Sequence, residues 1–335
     1  MRAIATRLRA VSSYSDGILM AHYDRPNSFI PSWRTFSRSS AATRFGPTGF
    51  PPETIATGNP RFDYAPNTPF AAQGLLMEGP RTNLFLNSAT LVTQNVTTSA
   101  QAYTLSFYGT GTVTLTGAST AGPLVGTGTS NRVALTFTPT AGTLTCTVSG
   151  SVTYAQLEAG SFASSWIPTT GGAANRVQET CTGLVANEHG AGQGSKAIRF
   201  TTGKYLAGPS QVLWTIDSGD PQNKLLVYRD VSGVLYLQIR NSGGAYLDSL
   251  ISSSTTSVNT TYDLAIKWGN GLIQAQVAGS APGAQQAQAT PPGLTTAHLG
   301  LTPADGGFPW FGTIKRELSA KTALPLSQLL ARIAA

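Results

Sequence analysis

Residues 103–117 read YTLSFYGTGTVTLTG. Tyr103, Leu105 and Phe107 share one parity and Thr104 and Ser106 the other; beyond the glycines, Val113 and Leu115 alternate with threonines. An apolar residue at every second position over a short run bounded by glycine marks a strand with one face in a core and one toward water. The pattern returns in RVALTFTPT (Val133, Leu135, Phe137) and in TLTCTVSG (Leu144, Cys146, Val148). Threonine on the other parity has high strand propensity and can cover a solvent face without charge. Repeated strands of this kind predict an antiparallel sandwich of jelly-roll type. The run GTGTVTLTG lacks the lysine of a phosphate-binding loop and continues as a strand, so it is expected to be a hairpin.

Outward toward the C-terminus, YAQLEAGSFASSWIPTTGGAANR (154–176) closes this block, with a boundary near 175. A second β block follows: AIRFTT, QVLWTIDS, KLLVYRD, VLYLQIRN, YDLAIKWG, LIQAQVAG and HLGLTP. Asn270-Gly271 between two of these runs is a strong hairpin signal. The segment 279–296 reads as loop, and LPLSQLLARI as a terminal helix with Ser327 at its N-cap and Leu329, Leu330 and Ile333 facing inward.

Outward toward the N-terminus lies RFDYAPNTPFAAQGLLMEGPRTNLFLNS (61–88). Strand-like pieces at 61–64, 75–78 and 84–87 are separated there by Pro66-Asn67 and Gly79-Pro80 turn chemistry. Arg81 is expected to pair with Glu78 or Asp63. Residues 1–60 show no lasting period and carry Pro26, Pro31, Pro47, Pro51 and Pro52. They read as an extended docking arm, with Arg2, Arg7, Arg9 and Trp33 as its contact residues. The expected architecture is therefore all-β: an arm over 1–60, a jelly-roll domain over 61–175 and a second sandwich over 176–335.

Composition narrows function. Charged residues make up 11% of the 335 positions, against roughly 25% in average soluble domains. A surface of Ser, Thr, Gly, Asn and Gln suits sandwiches, fibres and virion proteins, not a cytosolic helical enzyme. The net charge of +7 is thinly spread, with no lysine cluster and no nucleic-acid module, so no nucleic-acid partner is expected. No run approaches a membrane span, and MRAIATRLRAV lacks a following apolar stretch, so neither membrane insertion nor a secretory signal is expected. Cys146 follows core parity; both it and Cys181 are expected as reduced thiols, fitting folding in a cytoplasm.

Three dispersed histidines (His22, His189, His298) and two distant cysteines give no metal signature. Neither a nucleophile elbow nor paired acids on one strand face are present, so no catalytic residues are assigned and the chain is read as non-enzymatic. Trp214 and Trp268 share parity with core residues. Tyr236 differs: with Gln238 and Arg240 it lies opposite Leu235, Leu237 and Ile239. Such a row can stack on a sugar ring and hydrogen-bond its hydroxyls. Trp310, in GGFPWFG, is a second glycan candidate if it stands at a loop tip.

Residues 60–66, 74–78, 81–88 and 155–171 together resemble a motif set of tailed-bacteriophage virion proteins: PRFDYxP, GLLxE and RTNLxLNS, then a β block, then AQLExGxxAxSxIPTxG. The run YDLAIKWGNGLIQAQVAG, the strand HLGLTP and WFGTIKRELSAKTALPLSQLLARI resemble concanavalin A-like or laminin G-like sandwiches. These resemblances imply a tail fibre or head spike, located in the virion, homotrimeric, and bound to other virion proteins of tail or head. They also imply a distal domain that contacts host-surface polysaccharide. A head decoration protein, head fibre or tail adaptor without ligand is the alternative reading, and a capsule depolymerase a third. No cofactor is implied by a motif; calcium, used by some sandwiches of this kind, stays open because no ligand set maps onto this sequence.

Overall fold

The computed structural model describes residues 17–203, 210–241, 246–251, 255–287, 289–301 and 308–335. The N-terminal third forms β1 (Ile18–His22), β2 (Arg34–Ser37), β3 (Ala42–Gly46), β4 (Gly49–Ile55), β5 (Phe62–Tyr64), β6 (Ala72–Met77) and β7 (Arg81–Asn83). The middle forms β8 (Gln94–Thr98), β9 (Tyr103–Gly109), β10 (Thr112–Gly117), β11 (Leu124–Val125), β12 (Gly128–Phe137), β13 (Gly142–Ser149) and β14 (Val152–Ala159). The remainder begins with β15 (Ala174–Arg176), β16 (Thr180–Leu184), α1 (Val185–Glu188), β17 (Gly194–Thr202), β18 (Gln211–Asp217), β19 (Lys224–Arg229) and β20 (Leu235–Arg240). It continues with β21 (Tyr246–Leu250), β22 (Thr261–Gly269), β23 (Leu272–Val277), β24 (Gln286–Ala287), β25 (Thr296–Leu299), β26 (Gly312–Ala320) and α2 (Leu326–Ala334). All strand pairings between these elements are antiparallel, and the fold is all-β as expected.

Two sandwiches result. In the smaller, sheets β11-β10-β13-β8 and β12-β9-β14 face each other. Leu105, Phe107, Val113, Leu115, Leu144 and Cys146 fill the space between them, as their parity predicts. The chain crosses from one sheet to the other between β9 and β10. The glycine run is thus a corner and not a hairpin. Gly109 sits at φ +121°, and a Cβ there would lie 2.2 Å from the Ser151 carbonyl oxygen. Thr104 and Ser106 are not solvated. They are buried on the other face of β9, where Thr104 Oγ1 donates to Gly160 O (2.8 Å) and Ser106 Oγ accepts from Arg132 Nη2 (2.8 Å). The β3–β4 hairpin adds cover there, packing Phe50 against Tyr108 and Tyr154 with centroids 5.2 and 5.3 Å apart.

The larger sandwich differs from the expected C-terminal unit. One sheet runs β24-β23-β22-β17-β26-β6-β5 with β1 also on β26; the other runs β2-β16-β25-β18-β19-β20-β21. Residues 17–60 are therefore not a free arm. β1 pairs with Arg316–Ala320, β6 with Gly312–Ile314, and β2 with Thr180–Gly183. Segments before residue 84 complete the sandwich, and the smaller one is inserted between them and the rest. The inserted chain leaves and returns on paired neighbours: β7 pairs with β15, Ala174 opposite Asn83.

The inter-sheet core holds Leu19, Ile198, Phe200, Trp214, Leu225, Leu237, Leu264, Trp268 and Ile314. Outside the eight-stranded sheet, α2 lays Leu326, Leu329 and Ile333 over Ile18, Ala197 and Leu318. This helix starts at Leu326 behind Pro325, and no side chain caps it, so Ser327 lies within its first turn. Asn270-Gly271 closes the β22–β23 hairpin with φ of 53° and 71°, as the sequence predicts.

Candidate functional site

The site is built on the outward face of the seven-stranded sheet. Leu225 and Val227 of β19, and Leu235, Leu237 and Ile239 of β20, point into the core. Alternation then sends Lys224, Leu226 and Tyr228, and Tyr236, Gln238 and Arg240, to the other face. Register sets these in cross-strand rows: Tyr228 opposite Tyr236, Leu226 opposite Gln238, Lys224 opposite Arg240. The first row is a stacked aromatic pair, with centroids 5.2 Å apart and planes 16° apart. Both tyrosines are half-buried, offering ring edge and hydroxyl. In the second row Gln238 Nε2 donates to Asp248 Oδ1 (2.8 Å) on the exposed edge of β21. In the third, Arg240 Nη1 donates to Pro221 O (3.2 Å). Burial, with the neighbouring Arg240 charge, lowers the Lys224 ammonium to about 8, against the pull of Asp217.

The rows continue across β18 and β25. Thr215 lies opposite Leu226 on one side and His298 on the other, and Asp217 lies opposite Lys224. These three polar side chains are buried, and Thr215 Oγ1, Asp217 Oδ2 and both His298 ring nitrogens lack a hydrogen-bond partner among the described residues. His298 Nε2 approaches Asp217 Oδ2 to 3.1 Å without hydrogen-bond alignment. A buried polar group left unmet costs about 1–3 kcal/mol. A trapped, ordered water would satisfy these atoms. The accessible part of the face thus combines an aromatic step, an amide–carboxylate pair and the half-buried Arg240, over a buried polar layer of Lys224, Thr215, Asp217 and His298. Tyr228, Asp248, Thr215, Asp217 and His298 escaped the sequence reading. Parity alone places Tyr228 on this face; the others need the strand register.

The remaining candidates do not join them. Trp310 is 0% exposed. Its ring packs inward, edge-on to Phe200 with centroids 5.4 Å apart. A ring so covered cannot stack on a glycan. Trp33 is 9% exposed and belongs to the inter-sheet core, because β2 is anchored on β16 and carries it inward. It is therefore not a docking residue. Arg2, Arg7 and Arg9 lie outside the described residues. Gln238, at 7% exposure, is less open than a bare sheet face would leave it.

The virion-type motif residues form two buried clusters instead of a ligand surface. Arg61 chelates Glu179 (Nε–Oε1 2.6 Å, Nη2–Oε2 2.7 Å) and donates to Glu78 Oε2 (2.9 Å) and Ser165 Oγ (2.7 Å). Arg176 reaches the same Glu78 oxygen (3.1 Å), and Arg38 the same Glu179 (3.0 Å). Arg176 and Arg61 hold the Glu78 carboxyl at about 2 despite burial. Arg81 pairs with Glu158 (3.3 Å), not with Glu78 or Asp63, and its guanidinium lies over Phe162 (4.9 Å) and Phe311 (5.1 Å). Asn83 Nδ2 donates to Ala155 O and Ile167 O, while its Oδ1 accepts from Leu157 N and Phe85 N. The two motifs thus meet in space and weld the inserted sandwich to its host.

No known family matches this chain, and no curated protein matches it in sequence. Solved structures do. The chain is similar to the CBM40 module of Ruminococcus gnavus IT-sialidase bound to α2,3 sialyllactose, at 19% identity over 43% of this chain and 83% of that one, TM-score 0.37. It is also similar to domain 4 of AbnA, a GH43 extracellular arabinanase from Geobacillus stearothermophilus in complex with arabinotriose, at 16% identity over 48% and 76%, TM-score 0.38. A heptameric SAP-like pentraxin from Limulus polyphemus gives 15% identity over 44% and 71%, TM-score 0.32. Likenesses of this strength carry no argument about ligand or activity.

Proposed function

We propose that this chain is a non-enzymatic structural protein of a tailed-phage particle, a fibre or spike, that contacts host-surface glycan through the outward face of its larger sandwich. The observation that carries the glycan reading is the half-buried Tyr228–Tyr236 stack beside the Gln238–Asp248 pair. Sugar recognition needs an apolar ring against the pyranose face and a dense set of donors and acceptors around it. The particle reading rests on the motif resemblance and on the low-charge all-β composition. A homotrimer, as the resemblance implies, would multiply weak single-site binding by valency, with gains of about 10²–10⁴. The non-enzymatic reading is supported by Glu78, Glu158, Glu179, Glu188 and Glu317, each committed to a basic partner.

A purely structural role, as head decoration or tail adaptor, is favoured by one observation: Gln238 and Arg240 already have protein partners. Binding of the full chain to a bacterial glycan array and to envelope polysaccharide separates the two. The proposal expects saturable binding that Tyr236→Ala weakens at least ~10-fold, and no release of reducing ends. Absence of binding to every envelope preparation supports the structural role; new reducing ends would make the protein a depolymerase.

A further inference from the structure

A cleft of about 420 Å³ lies where the inserted sandwich meets the larger one, on the opposite side of the larger sandwich from the tyrosine face. That is within the ~300–1,000 Å³ range of small-molecule sites. Its floor is the outward face of the eight-stranded sheet. Leu75, Phe200 and Ile314 point into the core, so alternation turns Leu76, Thr201 and Thr313 outward. Register sets these side by side: Leu76 opposite Thr313, and Thr313 opposite Thr201. Phe62 likewise packs inward and sends Asp63 to the cleft, where it stands beside Phe45. Phe162 and Ala163 of the inserted sandwich form the facing wall, and Gln73 and Asn259 complete the lining.

Asp63 is half-buried, and only one of its oxygens is used. Oδ1 accepts from Phe45 N (2.7 Å), which fixes the carboxyl, while Oδ2 takes no hydrogen bond among the described residues. No described cation pairs with it. Arg61 and Arg176 bind Glu78, the other acid of the lining; Arg81 pairs with Glu158 and Arg44 with Glu53. Among the described residues no lysine, arginine or histidine lines the cleft. Burial raises the Asp63 carboxyl to about 6, against the Phe45 bond and the Arg61 charge, with Glu78 adding to the rise. A carboxylate short of solvent and of a counter-ion gains most from an arriving cation. Around it lie groups suited to hydroxyls. Thr201 is half-buried, its Oγ1 2.9 Å from Thr261 Oγ1. Gln73 donates Nε2 to Ala71 O (3.2 Å) and keeps its Oε1. Asn259 is exposed, and its side chain makes no hydrogen bond among the described residues.

We propose that this cleft is a second ligand site that takes an amino sugar, its ammonium on the Asp63 carboxylate and its hydroxyls on Thr201, Gln73 and Asn259. The site is independent of the tyrosine face, and either can fail without the other.

The test is titration calorimetry on the full chain with three probes. These are the β-linked glucosamine disaccharide, cellobiose as the same skeleton without the charge, and diaminopentane as a charge without hydroxyls. The expected result is saturable binding of the glucosamine disaccharide at one equivalent per chain, at least ~10-fold tighter than either control, because each control leaves part of the site unmet. Asp63 is half-protonated near pH 6, so binding there should release about half a proton per chain, read as a dependence of the heat on the buffer's ionisation enthalpy. Asp63→Asn should remove both the release and the preference over cellobiose. Gln73→Trp, which fills the cleft and keeps the carboxyl, should abolish binding; if one variant does not fold, the other carries the test. Tyr236→Ala should leave binding unchanged. Absence of saturable disaccharide binding, its loss in Tyr236→Ala, or its survival in folded Gln73→Trp overturns the site. Cellobiose as tight as the glucosamine disaccharide, or proton release that persists in Asp63→Asn, overturns the role given to Asp63. Diaminopentane as tight as the disaccharide overturns the sugar.

Discussion

Glu317 of β26 accepts from Tyr23 OH (2.5 Å) and from Arg34 Nη2 (2.7 Å), and pairs with Lys196. Arg34 also reaches Glu188 (2.8 Å), so two cations and two anions share one buried site. Removing one member strands the others in a medium that cannot solvate them. Glu317→Gln is therefore predicted to destabilise the protein by about 3–5 kcal/mol, read as a lower urea midpoint. The pH profile follows from opposed shifts. Glu78 sits at about 2, below its ordinary value, so its contribution is complete above about 4.5 and is lost as pH falls toward 2. Burial raises Asp63 to about 6. Its contribution is present below about 4 and lost as pH rises through 6. Asp63→Asn is expected to remove that loss, gaining stability at pH 8 relative to wild type in urea titrations run at both pH values, while its Oδ1 can still accept from Phe45 N. At this scale parity told which side chains share a face, but not whether the second face meets water: Thr104 and Ser106 are buried. Tyr236, Gln238 and Arg240 do lie opposite Leu235, Leu237 and Ile239, and Trp214, Trp268 and Cys146 are core. The sequence was illegible where a loop decides: Trp310 has glycine and proline neighbours suited to exposure, yet its ring closes the core.

Single elements explain why the domain boundaries were harder to read than the fold class. β1 (ILMAH) shows no alternation because both its faces are buried: Leu19 and Ala21 enter the inter-sheet core while Ile18 faces the core beneath α2. A strand buried on both sides reads as a continuous apolar run, and the prolines around it suggest an arm. β2 and β6 are short and depend on partners far along the chain. The hairpin at Asn270-Gly271, by contrast, is encoded locally and was fully legible. This arrangement makes a prediction about fragments. Residues 176–335 alone lack β1, β2 and β6 and leave Glu317, Glu188 and Lys196 without Arg34. The fragment is expected to give no cooperative urea transition by circular dichroism, whereas 17–335 should unfold cooperatively. A cooperative transition in the short fragment would show that the N-terminal strands are ornamental.

For the whole molecule, the inserted sandwich and its host were visible as two β blocks, but their nesting was not, because insertion leaves no local signal in a sequence. Paired β7 and β15 place the ends of the insert side by side. Replacing 84–173 with a short glycine turn should therefore leave a folded larger sandwich that keeps the proposed glycan face and melts lower, since Ser164, Ser165 and Glu158 no longer support Arg61, Arg176 and Arg81. The central claim concerns where glycan lands on this two-sandwich body. Hydrogen–deuterium exchange of the full chain, with and without saturating envelope polysaccharide, tests it most directly. Protection confined to Lys224–Arg229, Leu235–Arg240 and the adjoining β18 and β25 of the same sheet is the predicted result. Protection on the inserted sandwich, with those strands unchanged, would contradict it.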